Sequence, residues 1–111
     1  MGVAKKIDCP YLDGIVDLTD ERRDHIELKH PELVPGRLHW LFETLLEPAV
    51  IVRSRTWDGA RLFVRRYDSP GRTRFVVVVV ATDPPDNERH WIVTAYLSRD
   101  LPKGVIEWPR S

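Results

Sequence analysis

Three kinds of residue in this chain could move a proton or hold an anion. His25 stands in Thr19-Asp20-Glu21-Arg22-Arg23-Asp24-His25-Ile26, and His30 follows in His30-Pro31-Glu32-Leu33. Histidine exchanges a proton near neutral pH and serves as general acid or base. About seventy residues later, Trp91-Ile92-Val93-Thr94-Ala95-Tyr96-Leu97 carries a hydroxyl and a phenol two positions apart, hence on one face of a strand. Between them lies a block of arginines: Arg53, Arg55, Arg61, Arg65, Arg66, Arg72 and Arg74. A guanidinium matches phosphate oxygens in two-point contacts, so a nucleic-acid partner is allowed; the same pattern also keeps exposed sheet faces soluble and edges unpaired.

Other chemistries lack their residues. His25 and His30 are five apart, the wrong spacing for one helix face, His39 and His90 are isolated, and no HExxH or Cys/His cluster occurs. Cys9 is alone, without a CxxC partner and without an evident base. No metal or other cofactor is expected. Gly59, Gly71 and Gly104 are separate turn glycines rather than a phosphate loop, and no GxSxG elbow is present, which disfavours a serine or cysteine hydrolase. Metal-free RNA cleavage fits what remains. The substrate brings its own nucleophile, the 2′-hydroxyl. The protein supplies a base, an acid, and donors or cations for the phosphorane. His25, an arginine, Tyr67, Thr94 and Tyr96 could fill those roles.

The elements that must position these residues fit one domain over residues 1–111. The composition, 42% hydrophobic and 31% charged with no net charge, is that of a globular chain. Charge is uneven: residues 1–52 hold six basic and ten acidic residues, and residues 53–74 hold seven and two. Residues 1–14 read as an irregular segment, and the whole stretch 1–18 carries no clear periodicity, with Gly14–Leu18 as a short extended lead into a helix. Thr19 or Asp20 caps helix one, which runs to about Lys29 and is stopped by Pro31. After Pro35-Gly36, Leu38, Leu41, Phe42, Leu45 and Leu46 form an amphipathic stripe that ends at Pro48. Strands follow over 49–55, 60–68, 74–82 and 89–98, with a weaker one over 104–108. Turns fall at Trp57-Asp58-Gly59 and at 83–87, and Trp57 is the tryptophan most expected to be exposed. The expected fold is therefore α+β, with two N-terminal helices on one face of a four- or five-stranded antiparallel sheet.

Alternation sorts the strands by face. Trp91, Val93, Ala95 and Leu97 are expected against helix two. If Leu62, Val64 and Arg66 also face it, the opposite face collects Arg61, Arg65, Tyr67, Thr94 and Tyr96, an anion-binding surface, provided no bulge shifts the phase. The longest apolar run, Val76–Ala81, is too short for a bilayer. No signal peptide is visible, and with the lone cysteine a reducing, cytoplasmic setting is expected.

The order of motifs carries a resemblance. Thr-x-x-Arg-x-x-His-Ile followed by His-Pro-Glu-Leu (19–26 and 30–33), the helix-to-strand passage Leu45-Leu46-Glu47-Pro48-Ala49-Val50-Ile51, Arg65-Arg66-Tyr67, the 76–80 valine run and Thr94-Ala95-Tyr96 succeed one another. Over roughly residues 15–108 this resembles the phage-type members of the barnase–EndoU–colicin–RelE-like (BECR) nuclease superfamily. The resemblance implies helices on a four-stranded antiparallel sheet, metal-independent ribonuclease activity, and a toxin, phage or polymorphic-effector setting. It implies RNA as partner, and an antitoxin or immunity protein as another. By motif, His25 becomes the acid/base residue. Arg65 or Arg66, with Tyr67, binds and polarises the phosphate, and Thr94 hydrogen-bonds it with Tyr96 beside it. The strand phase favours Arg65, leaving Arg61, Arg66 and Tyr96 for substrate binding. Two other readings stand beside the nuclease: a non-catalytic RNA- or protein-binding module of the same fold, and a structural phage-type accessory protein.

Overall fold

The computed structural model describes residues 3–56, 59–83 and 89–109. Trp57, and parts of the turns expected at 57–59 and 83–87, lie outside the described residues. The chain runs β1 (Val3–Cys9), a 3-10 turn (Pro10–Leu12), β2 (Gly14–Thr19), α1 (Asp20–Lys29), α2 (Leu38–Leu46), β3 (Val50–Arg53), β4 (Ala60–Ser69), β5 (Arg72–Thr82), β6 (His90–Ser98) and β7 (Val105–Trp108). Local chemistry sets the helix ends. The Thr19 hydroxyl accepts a hydrogen bond from the Arg22 N–H at 3.2 Å, and Asp20 and Glu21 occupy the positive first turn of α1. His30 caps its C-terminus just before Pro31.

The expected two N-terminal helices on a four- or five-stranded antiparallel sheet are not what forms. The sheet has seven strands in the order β1-β2-β6-β5-β4-β3-β7, and it is mixed, because β2 runs parallel to β6. β1 and β2 make a hairpin ahead of both helices, so the segment read as irregular is the first edge of the sheet. Its signal was thin for a physical reason. Ile7 and Cys9 are buried, Lys5, Lys6 and Asp8 are exposed, and an edge strand needs few inward apolar residues. β7 also breaks the expected meander by pairing with β3 at the far edge.

Two apolar clusters lie on opposite faces of the sheet. One joins Ile26, Leu33, Val34, Leu41 and Leu45 from the helical segment to Ile7, Ile51, Phe63, Val76, Val78, Ile92 and Ala95. The other contains Val50, Val52, Val64, Val77, Val79 and Val93, with Leu62, Phe75, Trp91 and Tyr96 at its margin and no helix residue. α2 touches β1 as well as β4 and β5. The Tyr11 ring, just past β1, lies 6.1 Å from Phe63 and 6.5 Å from Trp108. The two ends of the sheet therefore curl toward each other around α2.

The strand faces also depart from expectation. The β5–β6 register shifts between Val79 and Val80: Val79 lies opposite Thr94, but Val80 lies opposite Ile92. This bulge at Val93 reverses the phase, so Ile92 joins Ala95 and Leu97 under the helices while Trp91 and Val93 turn to the other face. On β4 it is Phe63 that faces the helices, and alternation carries Arg61, Arg65 and Tyr67 with it.

The connection between β6 and β7 crosses that second face. Ser98 pairs with Phe75, whereas Val105 pairs with Arg53, whose neighbours in register are Arg61 and then Val80. The chain must therefore pass β5, β4 and β3 sideways while travelling back along β5 from Phe75 to Val80. At the end of this connection Gly104 adopts φ +153°, and a Cβ there would lie 2.6 Å from Val52 Cγ1 and 2.7 Å from the Arg53 carbonyl oxygen. Only glycine fits this approach without a shift.

Among the described residues, no helix is long and apolar enough to cross a membrane.

Candidate site: an arginine cleft at the end of the sheet

β4 and β5 join through Pro70-Gly71, and β6 ends beside them. Over these ends sits the start of α2. Together they enclose a cleft of about 610 Å³ lined by Arg37, Arg72, Arg74 and Arg99, with Glu32 and Asp68 as its acids and Trp40 and Tyr67 in its wall. Among the described residues, none of the four arginines forms an ion pair. Asp68 is already engaged by Arg66 Nε at 3.0 Å and the Thr73 hydroxyl at 2.9 Å, and those contacts hold its carboxyl below the usual carboxylate range. The cleft is thus strongly cationic.

An ordered stack forms its wall. Tyr67 lies parallel to Trp40, with ring centroids 4.4 Å apart and planes 17° apart. The Arg37 guanidinium covers the Trp40 ring at 4.7 Å, and Arg65 lies 5.7 Å from the Tyr67 ring. With each ring occupying one face of the other, the layers read Arg37, Trp40, Tyr67, Arg65. The Tyr67 hydroxyl donates to Glu43 Oε1 at 2.6 Å. Burial, then the Glu43 carboxylate, push the Tyr67 phenol well above its ordinary range, so it stays protonated.

A histidine reaches the rim of this cleft from α1. β2 pairs with β6 through His90 and Trp91, leaving the later part of β6 as a free edge that α1 packs against. There the His30 ring lies 6.1 Å from the Tyr96 ring, and His30 Nδ1 lies 3.6 Å from Glu32 Oε2. Glu32 is shared with the cleft lining, so the pair stands at its mouth. Burial raises the Tyr96 phenol above its ordinary value.

The residues singled out from the sequence are distributed as follows. Tyr67 belongs to the cleft. Arg65 sits beside it but donates from Nη1 to the Glu47 carbonyl at 2.6 Å, at the negative end of α2, and its Nε is buried without a hydrogen-bond partner. Next to Arg65 a second, mostly apolar cavity of about 600 Å³ is walled by Tyr11, Leu46, Pro48 and Trp108. Arg61 is held by Glu107 at 2.7 Å. Arg66 pairs with Asp68 on the opposite face. Thr94 and Tyr96 also lie on that face, opposite Val79 and Val77. His25 is half-buried on α1 beside the fully buried Ile26, and among the described residues no hydrogen bond, ion pair or ring contact joins it to the others. The expected single surface of Arg61, Arg65, Tyr67, Thr94 and Tyr96 is thus split, because β4 turns Phe63, and with it Arg61, Arg65 and Tyr67, toward the helices while Thr94 and Tyr96 keep the helix-free face.

His30, Glu32, Arg37, Arg72, Arg74 and Arg99, which the structure brings to this cleft or its mouth, were not among the site residues singled out from the sequence. The arginine block and the His-Pro-Glu triplet were visible signals, but nothing local showed that they converge. Among the described residues, no three His, Cys, Asp or Glu side chains group as a metal site requires. No protein-family model, curated protein or solved structure matches this chain.

Proposed function

We propose that this protein is a metal-independent endoribonuclease in which the scissile phosphate sits between the His30–Glu32 pair and the arginine cleft. The observation that carries the reading is the convergence of a carboxylate-paired histidine and four arginines at one end of β6. His30 takes the proton of the 2′-hydroxyl, with Glu32 orienting the imidazole. The 2′-oxygen bonds to phosphorus, the bond to the 5′-oxygen breaks, and solvent at the open cleft supplies the proton to that leaving oxygen. Arg37, Arg72, Arg74 and Arg99 hold the non-bridging oxygens as negative charge develops on them. The products are a 2′,3′-cyclic phosphate and a 5′-hydroxyl. The motif order that resembles BECR nucleases agrees with this chemistry, with the histidine role moved from His25 to His30.

Incubation with RNA in EDTA tests it. The wild type cuts, H30A loses at least about 100-fold in rate, the low end for removing a general acid–base group, and H25A retains activity. If H25A is the dead variant and H30A the active one, the histidine assignment is wrong. The non-catalytic reading has its own support, since the cleft is cationic independently of the histidine. It prevails if the wild type binds RNA but leaves it intact where a control ribonuclease cuts.

A further inference from the structure

We propose that the arginine cleft has charge beyond what the scissile phosphodiester needs and also seats an adjoining terminal phosphate or polyphosphate, so that a strand with a phosphorylated end is favoured over one without. This rests on the reading of the cleft as a phosphate site, and not on cleavage. An internal phosphodiester carries one negative charge, and one or two guanidiniums satisfy it. Here four arginines face two acids, one of which, Asp68, is already bound by Arg66 and Thr73. The surplus matches a group with two or more negative charges.

The aromatic residues point the same way. A single strand read along its length stacks its bases on open rings. Trp40 and Tyr67 instead stack on each other and are covered by Arg37 and Arg65, so neither ring offers a free face. What the cleft presents inward is guanidinium. Its position also fits an end, because β4 and β6 end there, β5 begins there, and α2 closes the side above them.

Two sources share this chemistry, the 5′ end of an RNA and a free nucleotide. Binding is measured with uncleavable 2′-O-methyl oligonucleotides that differ in a 5′-phosphate, with ATP, and with inorganic tripolyphosphate as competitor. Expected are an affinity at least about tenfold higher for the 5′-phosphorylated oligonucleotide, displacement by tripolyphosphate, and a ratio near one in R72A and in R74A, each truncation removing a charged contact to phosphate. Because the two variants are tested separately and both lie at a strand end, loss of folding in one leaves the other to decide. ATP binding as tightly as the phosphorylated oligonucleotide assigns the site to free nucleotides. Equal affinity for the two oligonucleotides in the wild type, with no competition by tripolyphosphate, overturns the proposal. Because no bond is cut in this assay, its failure is distinct from a failure of the nuclease reading.

Discussion

Glu107 joins three parts of the chain with two oxygens. It accepts hydrogen bonds from the Tyr11 hydroxyl at 2.6 Å, Arg53 Nε at 2.9 Å and Arg61 Nε at 2.7 Å, with its side chain only 8% exposed. The β3–β7 register shift between Ile51 and Val52 leaves Glu107 without a strand partner and turns it toward these donors. Burial alone would raise its pKa; the hydrogen bonds from Tyr11, Arg61 and Arg53 outweigh that and hold the carboxyl below its ordinary range. Its stabilisation is therefore complete above the unfolded carboxylate pKa of about 4.3 and fades as pH falls through the lower folded value. Glu107→Gln should cost about 2 kcal/mol at pH 7 by urea denaturation, the scale of losing charge-assisted hydrogen bonds, and less at pH 3. An equal cost at both pH values would show that the charge does not matter. None of this was legible in the sequence. The segment around Glu107 reads as a weak strand, and its arginine partners are 54 and 46 residues away. The same holds on β4: Phe63 rather than Leu62 and Val64 faces the helices, which places Arg65 and Tyr67 across the sheet from Thr94 and Tyr96, and alternation does not say which set turns inward.

α2 is the element that both seals the core and shapes the cleft. Leu41 and Leu45 are fully buried, and the Thr44 hydroxyl returns a hydrogen bond to the Trp40 carbonyl at 2.7 Å. Trp40, half-buried, fastens the first turn to β4 through Tyr67. Removing its ring should cost about 2 kcal/mol, from lost apolar burial and a lost aromatic pair. Trp40→Ala should therefore lower the thermal midpoint and weaken RNA binding, and Trp40→Phe should restore most of both. If RNA affinity is unchanged while the midpoint falls, the stack is structural and the cleft does not depend on it. The helices and β3–β7 were readable to within a few residues, because Leu38–Leu46 repeats at helical spacing and the valine run is long. Leu46 of that stripe nevertheless stays half-exposed. β1 was missed because two lysines, an aspartate and Cys9-Pro10 mask the inward pair Ile7 and Cys9.

Taken whole, the molecule is electrically neutral but sorted. Arg53 and Arg61 share the one carboxylate of Glu107, whereas Arg72 and Arg74 face the cleft. The arginine block was plain in the sequence; its division between ion pairs and an open site depends on strand faces that only the folded sheet defines. RNA binding should fall with salt at a slope of about −2 in log–log form if roughly three phosphates are held, and Arg74→Ala should flatten it by about 0.7. A slope near zero would argue against a phosphate site. The 99–104 connection has a consequence of its own. The chain passes β5, β4 and β3 and then brings Gly104 against Val52 and the Arg53 carbonyl before β7 pairs with β3. The last strand is therefore keyed by a position that has no room for a side chain. Gly104→Ala should unseat β7 and free Glu107, read as faster hydrogen exchange at Ile51 and Arg53. Unchanged exchange there would show that the approach relaxes to admit a methyl group.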